Sequence, residues 1–248
     1  MESLVITGAN RGIGLEFVRQ LAGRDPRPAH IFAACRSPEK AKDLQTLAAS
    51  NENVHIIGLD VQNEATYQPA VEEVSSVVGE KGLNVLINNA GVNNKEGYAD
   101  ATREGLTAVM DVNVISLIRV TQAFLPLLRH AALSSRKLPR LSIERAAIIN
   151  ISSILGSISK STGGLAGYRE SKAAVNMITQ GLSWELRGER ILVLAQHPGW
   201  VQTDMGGSDG EVTTEESVST MLRIFSAAGE GVNGYFLDLK FPIQICPY

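Results

Sequence analysis

Short apolar runs alternate with longer amphipathic segments along most of the chain. The segments 38–49, 63–78, 102–128, 168–187 and 214–227 have helical periodicity, and another helix is predicted where Ile13, Phe17 and Leu21 recur every four residues. Seven runs rich in apolar and β-branched residues predict strands at 3–6, 30–35, 54–59, 84–87, 146–151, 191–195 and 234–237. This alternation predicts an α/β fold in which helices cover both faces of a parallel sheet.

Size and composition narrow the class of protein. The 248 residues are 44% hydrophobic, which suits a single domain spanning 1–248. A net charge of −3 gives no argument for nucleic acid or an anionic membrane surface as a partner. Cys35 and Cys246 match no metal-ligand spacing or disulfide framework, so we expect no metal and a reducing compartment. With no room for a signal peptide before the first strand and no membrane-length apolar run, the expectation is a cytoplasmic protein.

Two segments are predicted to be loops. The stretch 134–145 breaks the helical pattern, and we expect a solvated loop there rather than a partner site; its charged residues are Arg136, Lys137, Arg140, Glu144 and Arg145. The stretch 204–214 is small and polar, and we expect a flexible substrate loop that closes over a ligand.

A glycine-rich loop joins the first strand to the first helix, with Gly8, Gly12 and Gly14 in the spacing Gly-x3-Gly-x-Gly. Such glycines allow a tight turn, a close approach of backbone to phosphate and close packing of helix on strand. The free N–H groups of the helix would then face the phosphates. Three glycines also occur in ordinary turns, so the loop alone leaves a nucleotide role open. No Gly-Lys-Ser/Thr follows, which argues against a P-loop.

Tyr168 and Lys172 lie four residues apart and share one face of a predicted helix. An ammonium beside a phenol favours the phenolate, so we expect a lowered pKa for Tyr168. The pair alone is also common on solvated helices. Ser152 and Ser153 follow a predicted strand, at the sheet edge where open α/β folds bind ligands, and a hydroxyl there can polarise a carbonyl.

Together with Asn88-Asn89-Ala90-Gly91, Asn113 and Pro198-Gly199, these motifs resemble the short-chain dehydrogenase/reductase family over essentially the whole chain. The resemblance implies a Rossmann-type, doubly wound parallel sheet of seven strands in the order 3-2-1-4-5-6-7. It also implies hydride transfer with a nicotinamide cofactor.

The resemblance assigns a role to each residue of the predicted catalytic set. Tyr168 would be the general acid that protonates the carbonyl oxygen, and Lys172 would bind the nicotinamide ribose. Ser153, rather than Ser152, would hydrogen-bond the substrate oxygen. Asn113 would connect Lys172 to solvent through backbone and a water. Ser153 precedes Tyr168 by 15 residues where the commonest family spacing is 13, so a longer loop shapes the substrate side.

The resemblance also implies the cofactor contacts. Asp60 would contact the adenine and Thr203 the nicotinamide carboxamide. The full predicted set is Gly8, Asn10, Arg11, Gly12, Ile13, Gly14, Arg36, Asp60, Val61, Asn89, Ala90, Gly91, Tyr168, Lys172, Pro198, Gly199, Val201 and Thr203.

The end of the second strand predicts which nicotinamide cofactor binds. NAD enzymes usually place an acidic side chain there for the ribose 2′-hydroxyl. Here the sequence is Cys35-Arg36-Ser37, and Arg36 with Arg11 would form a cationic pocket for a 2′-phosphate. We therefore predict NADP, with NADPH preferred over NADH.

Within the family, the segments 34–41 and 197–207 look most like the carbonyl-reductase branch. This implies reduction of a small-molecule carbonyl substrate: an aldehyde, ketone or quinone. Side chains that would line an apolar substrate wall are Val92, Leu155, Ile158, Trp200 and Met205. His197 is expected to pack or hydrogen-bond rather than to act in catalysis. The family also implies a homodimer that pairs through the helices at 102–128 and 168–187.

Two other functions stay open at this point. The chain would alternatively be an NADPH-binding regulatory or signalling protein with incidental turnover, against which the intact catalytic set argues. Epimerase or dehydratase chemistry on sugar nucleotides ranks last, because only about 50 residues follow Pro198, too few for the usual substrate domain.

Overall fold

The computed structural model describes residues 1–134 and 140–248. Seven strands are present: β1 Ser3–Thr7, β2 His30–Cys35, β3 Val54–Gly58, β4 Val85–Asn88, β5 Ala147–Ile151, β6 Leu192–Gln196 and β7 Phe236–Leu237. They form one parallel sheet in the order β3-β2-β1-β4-β5-β6-β7. The predicted doubly wound sheet and its strand order are confirmed.

Helices cover both faces of the sheet. They are α1 Gly12–Ala22, α2 Lys42–Ala49, α3 Tyr67–Val78, α4 Arg103–Met110, α5 Ser116–Ser134, α6 Tyr168–Glu185 and α7 Thr214–Ala227. Successive side chains of β1 face opposite layers: Ile6 belongs to the core that contains Phe17 and Phe225, and Val5 to the core that contains Phe124. Both faces are thus buried, which explains the nearly continuous apolar character of the strands.

The predicted helix at 102–128 is divided into two helices. A single π-helical turn, Asp111–Ile115, separates α4 from α5, and α5 continues beyond the predicted end to Ser134. Such turns are rare and often lie at functional sites. This one contains Asn113.

Arg145 corrects the prediction of a solvated loop at 134–145. Its side chain is almost fully buried before β5, where Nη1 donates a 2.8 Å hydrogen bond to the Ala132 carbonyl of α5. Arg140 is exposed and lies 3.6 Å from Glu230. Arg136 and Lys137 lie outside the described residues.

The helical run Arg103–Ser134 is long and apolar enough, by length and composition, to cross a membrane. Val120, Phe124 and Leu128 of this run are buried in the core beside β4 and α3. Their position against the sheet explains the apolar composition, because this surface of the helix faces protein.

The C-terminal tail, residues 241–248, returns along β7. Ile245 pairs with Leu237 in an antiparallel bridge, and Cys246 N–H donates a 2.7 Å hydrogen bond to the Phe236 carbonyl. The Tyr248 carbonyl then accepts a 3.1 Å hydrogen bond from Ser159 N–H. The tail therefore contacts the loop that leads from Ser153 to Tyr168.

Candidate active site

The glycine-rich loop after β1 leaves no space for side chains. A Cβ on Gly14 would lie 2.3 Å from the Gly8 carbonyl oxygen, and one on Gly8 would lie 3.1 Å from Ala90 Cα. Gly12 has a φ of +52°, a conformation that other residues rarely adopt. The loop therefore presents bare backbone at the N-terminus of α1, as a cradle for a pyrophosphate requires.

Side-chain hydrogen bonds fix the end of β4 to this loop. The Thr7 hydroxyl accepts hydrogen bonds of 3.0 Å from the N–H groups of Asn89 and Ala90. The Asn89 side chain donates a 2.8 Å hydrogen bond to the Thr7 carbonyl. Three residues of the predicted cofactor set, Gly8, Asn89 and Ala90, are thereby held together.

Asn113 in the π-helical turn connects the loop after β4 to α6. Its Oδ1 accepts a 2.9 Å hydrogen bond from Val92 N–H, and its Nδ2 donates to the Val92 carbonyl at 2.9 Å and to Ser171 Oγ at 3.0 Å. A Cβ on Gly91 would lie 3.2 Å from Asn113 Oδ1 and 3.6 Å from Lys172 Nζ. These distances place the Asn113 side chain near Lys172. The connection from Lys172 to solvent through a water stays a prediction.

Tyr168 and Lys172 lie on one buried face of α6. The Lys172 Nζ donates a 2.9 Å hydrogen bond to the Ile151 carbonyl at the end of β5 and lies 5.7 Å from the centre of the Tyr168 ring. Ser153 lies close enough to the Tyr168 hydroxyl to lower the pKa of that phenol. One serine, one tyrosine and one lysine thus meet at the carboxyl edge of the sheet.

Burial dominates the charge equilibria of this pair. It lowers the pKa of Lys172 from 10.5 to about 8, because a buried ammonium loses its hydration. It also raises the pKa of Tyr168, and the nearby Ser153 offsets this only in part. The predicted lowering of the Tyr168 pKa is therefore wrong for this structure, since desolvation of the phenolate is the largest influence on it.

The two serines after β5 face different surroundings. Ser152 Oγ donates a 2.6 Å hydrogen bond to Asn176 Oδ1 and is turned into α6. Ser153 Oγ accepts a 3.2 Å hydrogen bond from Leu155 N–H and meets Tyr168. This arrangement agrees with the choice of Ser153 as the residue that faces a substrate.

The remaining predicted cofactor residues surround the same edge. Asn10 and Arg11 are exposed before α1, Ile13 is half-buried in its first turn, and Arg36 is exposed after β2. Arg11 Nη1 lies 3.4 Å from the Asp204 carboxylate.

At the end of β3, Asp60 Oδ1 accepts a hydrogen bond from Gln62 N–H, and the Val61 carbonyl accepts one from the Tyr67 hydroxyl. The Tyr67 hydrogen bond thus joins the Val61 carbonyl to α3.

The segment after β6 completes the edge. The Pro198 carbonyl accepts a hydrogen bond from Ser217 Oγ, Val201 is buried, and Gly199 has a φ of +85°. A Cβ on Gly12 would lie 3.4 Å from Thr203 Cγ2, so Thr203 lies against the glycine-rich loop. The bare cradle and the surrounding polar groups together fit a dinucleotide.

Backbone hydrogen bonds hold the predicted substrate loop at 204–214. Gln202 N–H donates to the Val212 carbonyl at 2.9 Å, and Val212 N–H donates to the Trp200 carbonyl at 3.1 Å. The loop is thus folded back on the residues before it. Its closure over a ligand stays a prediction.

Apolar side chains face solvent around the predicted catalytic residues. Four of the five predicted wall residues are exposed and Leu155 is half-buried; the exposed ones are Val92, Ile158, Trp200 and Met205. Among residues 1–134 and 140–248, no cluster of His, Cys, Asp and Glu has the geometry to hold a metal ion.

Comparison with known proteins identifies the family. The sequence model of the short chain dehydrogenases matches residues 2–213. An uncharacterised oxidoreductase of Schizosaccharomyces pombe is 31% identical over 94% of this chain and 93% of its own length. The chain belongs to the short-chain dehydrogenase/reductase family.

Two solved structures place this short-chain dehydrogenase/reductase near carbonyl reductases. The carbonyl reductase Sniffer of Drosophila melanogaster is 39% identical, with a TM-score of 0.97 and full coverage of both chains. An NADPH-bound carbonyl reductase from chicken fatty liver is 39% identical, with a TM-score of 0.94 over 100% of this chain and 99% of its own. The resemblance to the carbonyl-reductase branch is confirmed.

Three supporting residues of this family member were missed by the sequence reasoning. Glu170 caps α6 by accepting a 2.7 Å hydrogen bond from Gly167 N–H, and it accepts another from the Tyr98 hydroxyl. Glu170 occupies the third position of the helix, where a capping acid is common, and this position was the available signal. Nothing in the sequence pattern indicates Tyr98 or Arg169.

His197 packs and hydrogen-bonds, as expected. Its Nδ1 accepts a 3.2 Å hydrogen bond from Ile154 N–H, next to Ser153. Burial lowers the pKa of His197 to about 4, so the ring is neutral at neutral pH. A neutral ring can keep accepting this hydrogen bond, which holds the chain beside Ser153.

Proposed function

We propose that this short-chain dehydrogenase/reductase is an NADPH-dependent carbonyl reductase that reduces aldehydes, ketones or quinones, with Tyr168 as general acid. The observation that carries the proposal is the meeting of Ser153, Tyr168 and Lys172 at the sheet edge beside the bare glycine cradle. The carbonyl reductases of similar structure support the substrate class.

The chain's own residues would activate the carbonyl. Ser153 donates a hydrogen bond to the substrate oxygen and orients it toward the Tyr168 hydroxyl. Tyr168 then gives its proton to that oxygen as negative charge develops there. Burial favours the protonated phenol, which is the form that a proton donor needs. The cofactor supplies the hydride that reduces the carbonyl carbon.

Lys172 would bind the nicotinamide ribose and act electrostatically on Tyr168. With a pKa of about 8, its side chain is mainly an ammonium at neutral pH. This charge stabilises the developing phenolate after proton transfer and can donate hydrogen bonds to ribose hydroxyls. The Asn113 side chain hydrogen-bonds to the backbone of Val92 in the loop after β4. These bonds hold that loop beside Lys172.

The preference for NADPH over NADH rests on Arg36 and Arg11. Both side chains are exposed beside the glycine-rich loop and the end of β2. Two guanidinium groups offer charge-assisted hydrogen bonds to a 2′-phosphate, each worth roughly 1.5 to 3 kcal/mol. A ribose 2′-hydroxyl would gain little from the same pair. NADP-bound relatives of similar fold support this choice.

We also propose that the protein is a cytoplasmic homodimer that pairs through α4, α5 and α6. Met177 and Trp184 lie on one side of α6 and are 69% and 71% exposed. Apolar side chains of this size at neighbouring positions favour burial against a partner. Cys35 and Cys246 are unpaired thiols, which agrees with a reducing compartment.

Light scattering tests the dimer. A mass of twice 26.6 kDa at micromolar concentration is expected, and Trp184→Glu should shift it toward one chain. A wild-type mass of one chain would refute the dimer.

Cofactor consumption tests the activity. We expect absorbance at 340 nm to fall when NADPH is mixed with quinones, aromatic aldehydes or steroid ketones. Tyr168→Phe should lower kcat about 10²–10⁴-fold, because it removes the proton donor but preserves the ring. Tight NADPH binding without turnover on any carbonyl would instead favour the cofactor-sensing protein.

A further inference from the structure

The loop between Ser153 and Tyr168, here called the substrate-side segment (residues 154–167), has an unusual backbone. Gly163, Gly164 and Gly167 have φ values of +81°, +71° and +84°, and Leu165 has a φ of +53°. A left-handed conformation is unfavourable for leucine and persists only where the surroundings enforce it. Contacts with other parts of the protein must therefore hold the segment in a conformation that its own backbone does not favour.

Arg169 supplies three of these contacts from the first turn of α6. Its Nε donates a 2.9 Å hydrogen bond to the Gly164 carbonyl, and Nη2 donates a 3.0 Å bond to Thr162 Oγ1. Nη1 donates a longer bond, 3.4 Å, to the Leu155 carbonyl. One guanidinium thus joins both ends of a ten-residue stretch, and the Gly164 contact directly precedes Leu165.

Among the described residues the buried guanidinium forms no salt bridge, although the neighbouring Glu170 carboxylate interacts with it electrostatically. Only 8% of Arg169 is exposed, and within residues 1–134 and 140–248 no acidic group lies within 4.0 Å of it. A buried cation is unfavourable unless fixed acceptors satisfy its donors. The two carbonyls and the hydroxyl meet that need, so the guanidinium and the segment fix each other in place.

The held stretch carries part of the predicted substrate wall. Ile158 lies between Leu155 and Thr162 and is 76% exposed. The position of Ile158 relative to Tyr168 depends on how the stretch is folded. Arg169, which directly follows Tyr168 in the chain, holds the stretch in this fold.

We propose that Arg169 is a positioning residue that sets the shape of the substrate pocket and thereby the selectivity for large apolar carbonyl compounds. The inference rests on the proposed function. The hydrogen bonds of the Arg169 side chain go to the substrate-side segment. We therefore expect a substitution of Arg169 to weaken substrate binding rather than to slow proton transfer. A small aldehyde, which does not reach Ile158, would be insensitive to it.

Steady-state kinetics of Arg169→Met test the proposal, since methionine keeps an apolar stem but removes every donor. We expect KM for a large aromatic ketone or quinone to rise about tenfold, while kcat for a small aldehyde changes less than twofold. Arg169→Lys should give an intermediate KM, because one ammonium can reach only some of the acceptors. Thr162→Val is the matched control and should raise KM only about twofold.

Hydrogen exchange gives a readout that needs no turnover. In NADPH-saturated Arg169→Met, amides of residues 155–165 should exchange at least tenfold faster than in the wild type, with exchange in α6 unchanged. Unchanged exchange in this stretch would overturn the proposal even if the wild type reduces carbonyls. Equal losses for large and small substrates would also overturn it. A wild type without turnover but with faster exchange in the variant would refute only the proposed function.

Discussion

The two sides of the active-site edge use glycine in opposite ways. On the nucleotide side, a Cβ on Gly14 would lie 2.3 Å from a backbone oxygen, so no other residue fits. On the substrate side, a Cβ on Gly163 or Gly164 would meet nothing within 4 Å, and both glycines serve left-handed turns. The nucleotide side is thus fixed by close packing of backbone, whereas the outer turn of the substrate side, residues 162–165, is fixed by a few side-chain hydrogen bonds. Close packing returns only at Gly156, where a Cβ would lie 2.6 Å from the backbone of Lys172.

This difference explains how proteins of one fold can bind the same cofactor while their substrates differ. A change on the nucleotide side must move β1 against α1, which both belong to the core. A change on the substrate side alters a surface loop held by Arg169 and by the tail contact at Ser159. Loops of this kind tolerate alteration more readily than packed elements.

Gly14→Ala should have the largest effect on the nucleotide side. The new methyl group would force α1 away from the loop, with a cost of about 1–3 kcal/mol or more. We expect NADPH affinity, measured by fluorescence titration, to fall about 100-fold or the protein to lose its fold.

Two glycine variants serve as controls for Gly14→Ala. Gly231→Ala places a methyl group in open space between α7 and β7 and should change stability by less than ~0.5 kcal/mol. Gly163→Ala should lose about 1–2 kcal/mol because of its positive φ. Both should bind NADPH as the wild type does, and weakened binding by either would contradict the contrast between the two sides.

Lys172 should give the pH profile a falling limb. Its pKa in the folded protein is about 8, below its ordinary value of 10.5, so the ammonium disappears as the pH rises through 8. We expect kcat/KM to decline above that pH, because this ratio reports ionisations of the free enzyme. Lys172→Met should be about 10²-fold slower and should lack the limb.

The same pKa fixes the sign of the stability effect. Between pH 8 and 10.5 the unfolded chain binds a proton at Lys172 that the folded protein has released, so this residue's contribution to stability rises with pH. Urea titrations of wild type and Lys172→Met at pH 7 and pH 10 measure it. A wild-type contribution that falls over this range would refute the lowered pKa.

Arg36→Asp should reverse cofactor choice. Replacing a guanidinium by a carboxylate removes charge-assisted bonds to the 2′-phosphate and adds repulsion, so NADPH affinity should fall about 10- to 100-fold. NADH affinity should change little or improve. Arg103→Asp on α4 is a control for general charge effects. Equal NADPH affinity in wild type and Arg36→Asp would remove the basis for the preference.

Ile158→Asp should have the smallest effect. A carboxylate in the exposed wall would weaken contact with a large apolar substrate and raise its KM about fivefold. Val77→Asp, on the exposed side of α3, is the matched control and should leave KM unchanged. An unchanged KM in Ile158→Asp would show that substrates do not contact this wall.

The fold was largely predictable because buried parallel strands are continuous apolar runs and α-helices are periodic. The division between α4 and α5 was not, since the π-helical turn at Asp111–Ile115 keeps the helical pattern of apolar residues. The burial of Arg145 and Arg169 was also unpredictable, because arginine is normally exposed and only the fold supplies the carbonyl acceptors.

The site was predictable as a set of positions but not in its electrostatics. Motif spacing placed Ser153, Tyr168 and Lys172 at one edge. The pKa of Tyr168 moves opposite to the prediction because burial depends on the surrounding tertiary structure, which helical spacing does not describe. The choice between Ser152 and Ser153 likewise depends on Asn176, 24 residues away along the chain.

Transfer of deuterium from NADPH labelled at the reactive nicotinamide carbon tests the central claim most directly. With NADPH that carries deuterium at both hydrogen positions of this carbon and with an aromatic aldehyde as substrate, mass spectrometry should find one deuterium at the carbinol carbon of the alcohol formed by the wild type. At saturating NADPH, Tyr168→Phe should yield at least 100-fold less product. Unlabelled alcohol, or equal yields of labelled alcohol from wild type and Tyr168→Phe, would contradict hydride transfer with Tyr168 as the acid.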